Sequence, residues 1–120
     1  MGEKTDGLRV VFDKNVKRVP ANLFRSYFYG PKIVSVEFEE GSVCQTIGDH
    51  AFSGSSFSSV TIPESVVAIG TEAFYNCTSL VSVEIPDGVT TLGKYSFADC
   101  RALTSIQLPD GLQTIGGYAF

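Results

Sequence analysis

The chain repeats a unit of about 23 residues, and repetition at a fixed period limits what it can fold into. The two most similar copies are Tyr75–Phe97, YNCTSLVSVEIPDGVTTLGKYSF, and Ala98–Phe120, ADCRALTSIQLPDGLQTIGGYAF. A repeat at fixed spacing indicates an array of similar supersecondary units, each of which buries its apolar face only against its neighbours. The sequence therefore predicts a solenoid, an architecture that presents extended binding surfaces more often than active sites.

Five copies can be aligned by the phenylalanine that ends each of them. The last two steps between these phenylalanines are equal, the step before is one residue shorter, and the first step is the longest. Two insertions, in residues 27–32 and 39–42, account for the long step. With these insertions the apolar residues fall into columns. The terminal column is Phe24, Phe52, Phe74, Phe97 and Phe120, and an earlier one is Val10, Val36, Val60, Val83 and Ile106.

Segments such as Ser82–Pro86 alternate polar and apolar residues, which is the period of a half-buried strand. The proline that follows lacks a backbone donor and ends the strand. Asp87-Gly88 is also compatible with a two-residue hairpin turn. We favour parallel strands because the spacing of the repeat leaves room for the long crossover that they need. We expect right-handed coiling, and a short helical or 3₁₀ turn in the return segment 91–97.

The motif C-x-x-L-x-x-V-x-I-P-x-x-V-x-x-L-G-x-x-x-F closely resembles the BspA-like, or Treponema-type, leucine-rich repeat. In that family such arrays occur on surface and secreted proteins, and the resemblance implies adhesion and protein binding without catalytic residues. The first copy departs from the motif, with Asp13 in place of the proline and Pro20 in place of the glycine. The matching residues are Cys77, Leu80, Val83, Ile85, Pro86, Val89, Leu92, Gly93 and Phe97, and one copy later Cys100, Leu103, Ile106, Leu108, Pro109, Leu112, Ile115, Gly116 and Phe120.

These observations predict one leucine-rich-repeat solenoid of about five coils, with a short-stranded parallel sheet on one face. Residues 1–7 are expected to be a disordered or cloning-derived N-terminus, and residues 8–120 to be the repeat array. The expected copies are 8–24, 25–52, 53–74, 75–97 and 98–120.

Composition and charge narrow the possible partners. No apolar run approaches the length of a membrane span, and the start MGEKTDGLRV has no hydrophobic stretch typical of a signal peptide. Residues 1–32 carry seven Lys or Arg against three acidic residues, whereas residues 33–120 carry two against ten. We therefore expect no membrane insertion. We also expect no nucleic-acid binding, because nucleic acid requires a basic surface and residues 33–120 are acidic.

Residues that could carry chemistry are few. Cys44, Cys77 and Cys100 fall in repeat columns of the core, and we expect free, buried thiols rather than a Cys77–Cys100 disulfide or a zinc site. His50 is the single histidine, so no triad is supported, and we expect it on the surface of the return side. The sequence predicts no catalytic residue, no metal, no cofactor and no enzyme.

Two surfaces are candidates for binding. The first is the exposed face of the predicted sheet. The second is the insertion that contains Tyr27, Phe28 and Tyr29, since insertions in repeat arrays form loops on one face. The sheet-face candidates are the outward strand residues Ser35, Glu37, Ser59, Thr61, Ser82, Glu84, Ser105 and Gln107.

The predicted function is a protein-binding or adhesion module within a longer surface or secreted protein. The expected partner is a host or matrix protein or a neighbouring cell surface. The alternative is a structural spacer that displays other domains and has no binding site of its own. The last coil ends at Phe120 without a polar cap, so we also expect self-association through its apolar residues.

Overall fold

A computed structural model describes residues 7–24 and 32–120, and in these residues it contains strands and turns but no helix. The strand pairs in this part of the chain are all parallel. The described strands are β1 (Leu8–Phe12), β2 (Arg18–Val19), β3 (Ile33–Phe38), β4 (Thr46–Ile47), β5 (Ser59–Thr61), β6 (Ala68–Ile69), β7 (Ser82–Glu84), β8 (Thr91–Leu92) and β9 (Thr114–Ile115).

The predicted parallel strands form on the first side of the coil. β1 pairs with β3, β5 pairs with β7, and a single bridge joins Glu84 to Gln107 in the last copy. Val60 lies opposite Val83, so residues one repeat apart are direct neighbours. In β5 and β7 the central valine is buried and the residues on either side are exposed, as the alternating pattern predicts. The solenoid with its short parallel strands is confirmed.

A second parallel sheet lies on the return side, and the sequence analysis missed it. Its strand order is β2-β4-β6-β8-β9, and each strand has only two residues. The short helical turn expected in residues 91–97 is wrong, because Thr91–Leu92 is a strand and the following residues form a turn. The backbone of this segment forms hydrogen bonds both within the turn and between coils. Ser96 donates its N–H to the carbonyl of Gly93 at 3.1 Å, and Gly93 donates to the carbonyl of Ile69 at 2.8 Å.

The return-side turns contain a column of residues in the left-handed backbone conformation. Residues other than Gly and Asn seldom adopt this backbone conformation, because it costs them about 1–2 kcal/mol each. Hydrogen bonds to the next coil hold it here: Glu72 donates its N–H to the carbonyl of Lys94 at 2.9 Å, and Tyr95 donates to Gly117 at 3.0 Å. The column consists of Asn22, His50, Glu72, Tyr95 and Tyr118, with φ between 55° and 64°.

The core is organised around the phenylalanine column. The rings of successive copies stack along the solenoid, with centroid separations of 5.5 Å for Phe52–Phe74 and 5.1 Å for Phe74–Phe97. Phe57 packs edge-on against Phe52 and Phe74 at 6.0 and 6.2 Å. Phe52, Phe74 and Phe97 are buried, whereas Phe120 in the last coil is 51% exposed. The apolar column therefore crosses every coil boundary and joins the repeats into one body.

Candidate functional site

The outward strand residues lie together on one face of the solenoid, here called the sheet face. Strand pairing places Ser59 beside Ser82 and Thr61 beside Glu84. The side chains of seven of the eight predicted residues are exposed, and Ser35 in β3 is half-buried. The seven exposed residues are Glu37, Ser59, Thr61, Ser82, Glu84, Ser105 and Gln107.

Two adjoining grooves run along the sheet face and the turns that follow its strands. The groove nearer the N-terminus has a volume of about 590 Å³, and the other has a volume of about 540 Å³. They share the lining residues Thr61, Ile62 and Glu64, so they adjoin across the coils, and the two grooves together are here called the channel. The channel is lined by residues from four successive copies, which gives a partner an extended rather than a local contact surface.

The acidic residues of the strands and turns converge on this channel, which the sequence analysis did not predict. Glu64, Asp87 and Asp110 each follow a proline at the same position of three successive copies. All three line the grooves. The recurring proline–acid pair is the sequence signal that would have revealed the convergence.

The second predicted surface, Tyr27, Phe28 and Tyr29, lies outside the described residues. It stays a prediction.

Three other tyrosines cluster at the turns of the later coils. The rings of Tyr95 and Tyr118 stack at 5.2 Å, and Tyr75 meets Tyr95 edge-on at 6.3 Å. The Nζ atom of Lys94 lies 5.8 Å from the centre of the Tyr95 ring. The carboxylate of Asp99 raises the pKa of Tyr75 above its usual value. The Tyr95–Tyr118 contact follows from the repeat register, since equivalent side chains stack from coil to coil.

The three cysteines are buried in the core. The thiol of Cys77 donates to the carbonyl of Phe52 at 3.3 Å, and that of Cys100 donates to Phe74 at 3.1 Å. Burial raises the pKa of Cys44, and the Cys100 thiol together with burial raises the pKa of Cys77. A thiol with a raised pKa is a poor nucleophile at neutral pH because little of it is ionised.

His50 lies half-buried in the return-side turn column, with Nδ1 3.3 Å from Oε1 of Glu72. The expectation of a surface position is met only in part, because the His50 side chain is 23% exposed. Within the described residues, no three His, Cys, Asp or Glu side chains are arranged to hold a metal ion.

A comparison of the sequence with models of known protein families agrees with this repeat geometry. The model of the BspA type leucine rich repeat region matches residues 21–120 in 6 copies. The chain belongs to this family. The BspA-type match covers every coil after the first, including the strands that build the sheet face.

A solved structure is similar over a large part of the chain. It is described as a leucine rich cell surface protein from Faecalibacterium prausnitzii A2-165, and it has 17% sequence identity and a TM-score of 0.38. The match covers 88% of this chain and 48% of that protein, so the chain spans about half of its length. A search of the curated proteins found no match. In the part of the chain that the structure describes, no helix is long and apolar enough to cross a membrane.

Proposed function

We propose that the chain is a protein-binding module of the adhesion type, and that it contacts its partner through the sheet face. The observation that carries this proposal is the exposed row of strand side chains above a buried core. Val60 and Val83 are buried, while Ser59, Thr61 and Ser82 beside them are exposed. The row spans several coils, so its contact area grows with the number of repeats.

The construction of the face supports a binding role. Each strand is fixed by hydrogen bonds to the neighbouring coil and by the apolar column beneath it. A partner therefore meets a surface that is already ordered, and little conformational entropy is lost on binding. The small side chains of Ser59, Ser82 and Ser105 also allow a partner to approach the backbone closely. Leucine-rich-repeat solenoids mostly bind rather than catalyse, and we propose no enzymatic activity.

The proposed setting is a longer surface or secreted protein, and the proposed partner is a host or matrix protein or a neighbouring cell surface. Support comes from membership of the BspA-type family across residues 21–120.

Blocking the sheet face tests this function. In the double variant Ser82→Tyr/Ser105→Tyr, two large neutral side chains cover the face between neighbouring coils. We expect the affinity of this variant for the partner to fall at least about tenfold. A loss of about 1.4 kcal/mol in binding free energy is enough for this. Adhesion to cells and binding to purified matrix proteins are measured with the immobilised chain.

The matched control is Ser79→Tyr/Gln113→Tyr, which places the same side chains at exposed positions that line neither groove. Circular dichroism checks that both variants are folded. Equal binding by the blocked and control variants would contradict a role for the sheet face and would favour the spacer.

A further inference from the structure

The channel along the sheet face collects most of the negative charge of the molecule. Glu37, Glu39, Glu40 and Glu64 line the groove nearer the N-terminus. Glu84, Asp87 and Asp110 join Glu64 in the other groove. Seven of the ten acidic residues between positions 33 and 120 therefore line one channel.

Positive charge is excluded from the same channel. Of the residues that the structure describes, no Lys, Arg or His lines either groove. The two Lys or Arg residues after position 32 are Lys94 and Arg101, and neither belongs to the channel. Within residues 7–24 and 32–120, the channel thus contains no cationic side chain that could offset the charge of its carboxylates.

The repeat places these carboxylates close to one another. Consecutive parallel-paired coils lie about 4.8 Å apart, and the turns that carry Glu64, Asp87 and Asp110 are stacked. A β-carbon built on Gly88 would lie 3.5 Å from the carbonyl oxygen of Glu64, and one on Gly111 would lie 3.6 Å from that of Asp87. Like charges on stacked turns repel one another. A cationic ligand would relieve this repulsion along several coils at once.

We propose that the segment recognised by the sheet face is an extended, lysine- or arginine-rich stretch of a partner protein, docked along this acidic channel. The inference rests on the proposed function and adds the chemistry of the partner. Each exposed carboxylate contributes little alone, but a row of them steers an oppositely charged partner to the surface and fixes its orientation. The Ser and Gln side chains between the carboxylates then supply hydrogen bonds to the docked backbone.

A defined peptide tests this chemistry. The probe is a fluorescein-labelled peptide in which a Lys-Ser pair is repeated six times, and the control probe has Glu in place of every Lys. Fluorescence anisotropy with the whole chain is measured at 50 mM and 300 mM NaCl. We expect saturable binding of the lysine peptide, at least tenfold weaker at the higher salt concentration, since salt screens exposed charges. Equal binding of the two peptides, or no binding of the lysine peptide at 50 mM NaCl, would overturn the proposal.

Two charge-matched variants locate the contact. Glu37→Gln/Glu64→Gln/Glu84→Gln removes three carboxylates from the channel, and we expect at least a tenfold loss of affinity for the lysine peptide. Asp49→Asn/Glu72→Gln/Asp99→Asn removes three carboxylates that lie outside it, and we expect less than a threefold loss. An equal loss in both variants would mean that only net charge matters, and it would refute docking in the channel.

Failure of this inference can be separated from failure of the proposed function. The adhesion assay identifies a partner. If this partner does not bind Ser82→Tyr/Ser105→Tyr but still binds the triple glutamine variant at 300 mM NaCl, the sheet face is a binding surface and the proposal of a cationic partner is refuted. Sedimentation velocity of the chain alone tests whether a second copy of the chain occupies the channel. Salt-sensitive self-association that the triple glutamine variant abolishes would assign the channel to the basic first coil of another molecule and overturn an external partner.

Discussion

Replacing Phe74 with alanine is expected to lower the free energy of unfolding by about 3–5 kcal/mol, the range for truncating a buried phenylalanine. Phe74 is fully buried, and its ring stacks on Phe52 at 5.5 Å and on Phe97 at 5.1 Å. Truncating it removes the ring contacts with both neighbouring coils. It also leaves a cavity, which the hydrogen bonds between the coils keep from collapsing. Few other single truncations would weaken the stack on both sides.

Urea denaturation followed by circular dichroism measures this loss. The control is Phe120→Ala, which changes the same column where the ring is 51% exposed and stacks on one neighbour, Phe97, at 5.8 Å. We expect a clearly smaller loss for the control than for Phe74→Ala. A loss below about 1 kcal/mol for Phe74→Ala, within the range of peripheral positions, would show that the column does not carry the core.

Gly93→Ala is expected to destabilise the chain by about 3 kcal/mol, the upper part of the usual range for overpacking. The reason is space, because Gly93 has no positive φ. A β-carbon there would overlap the backbone of the preceding coil and would lie 2.7 Å from the carbonyl oxygen of Gly70. The overlapped atoms are backbone atoms already fixed by hydrogen bonds between coils, so they cannot move aside without opening the second sheet.

Gly117→Ala is the matched control for this prediction. It adds the same methyl group in the last coil, where no atom lies within 4 Å of the new carbon. We expect its effect to stay within about 0.5 kcal/mol, as at other unhindered surface positions. Thermal unfolding of the two variants is compared with the parent chain. Similar melting temperatures for Gly93→Ala and the parent chain would refute the close approach of the coils.

The repeat columns made the first side of the coil predictable from the sequence. Val60 and Val83 stand in one column with polar residues on either side, and this alternation is enough to identify a strand and its buried face. The phenylalanine column was predictable for the same reason, since a bulky apolar residue at every repeat needs a continuous core. The family resemblance led to the same fold, and the match over residues 21–120 confirms it.

The return side was not predictable in the same way. A strand of two residues, such as Thr91–Leu92, is too short to show any periodicity. The left-handed conformation of Tyr95 runs against the preference of its side chain and is held by a hydrogen bond to Gly117 in the next coil. Both features arise from contacts between coils, which local propensity does not contain.

The candidate site was predictable in part. The exposed strand residues could be named from alternation alone, because the pleat directs every second side chain outward. The acidic channel was missed because its members come from different coils and from two kinds of segment, with Glu84 on a strand and Asp87 on a turn. The channel becomes visible only when the coils are stacked.

The parallel stacking of coils is the central claim, and nuclear Overhauser effects in the isotopically labelled chain test it most directly. The account predicts backbone contacts between Val60 and Val83 on the first side and between Leu92 and Ile115 on the return side, each pair one repeat apart. Contacts that instead pair residues 82–85 antiparallel with residues 89–92, as in a hairpin closed by Asp87-Gly88, would contradict it.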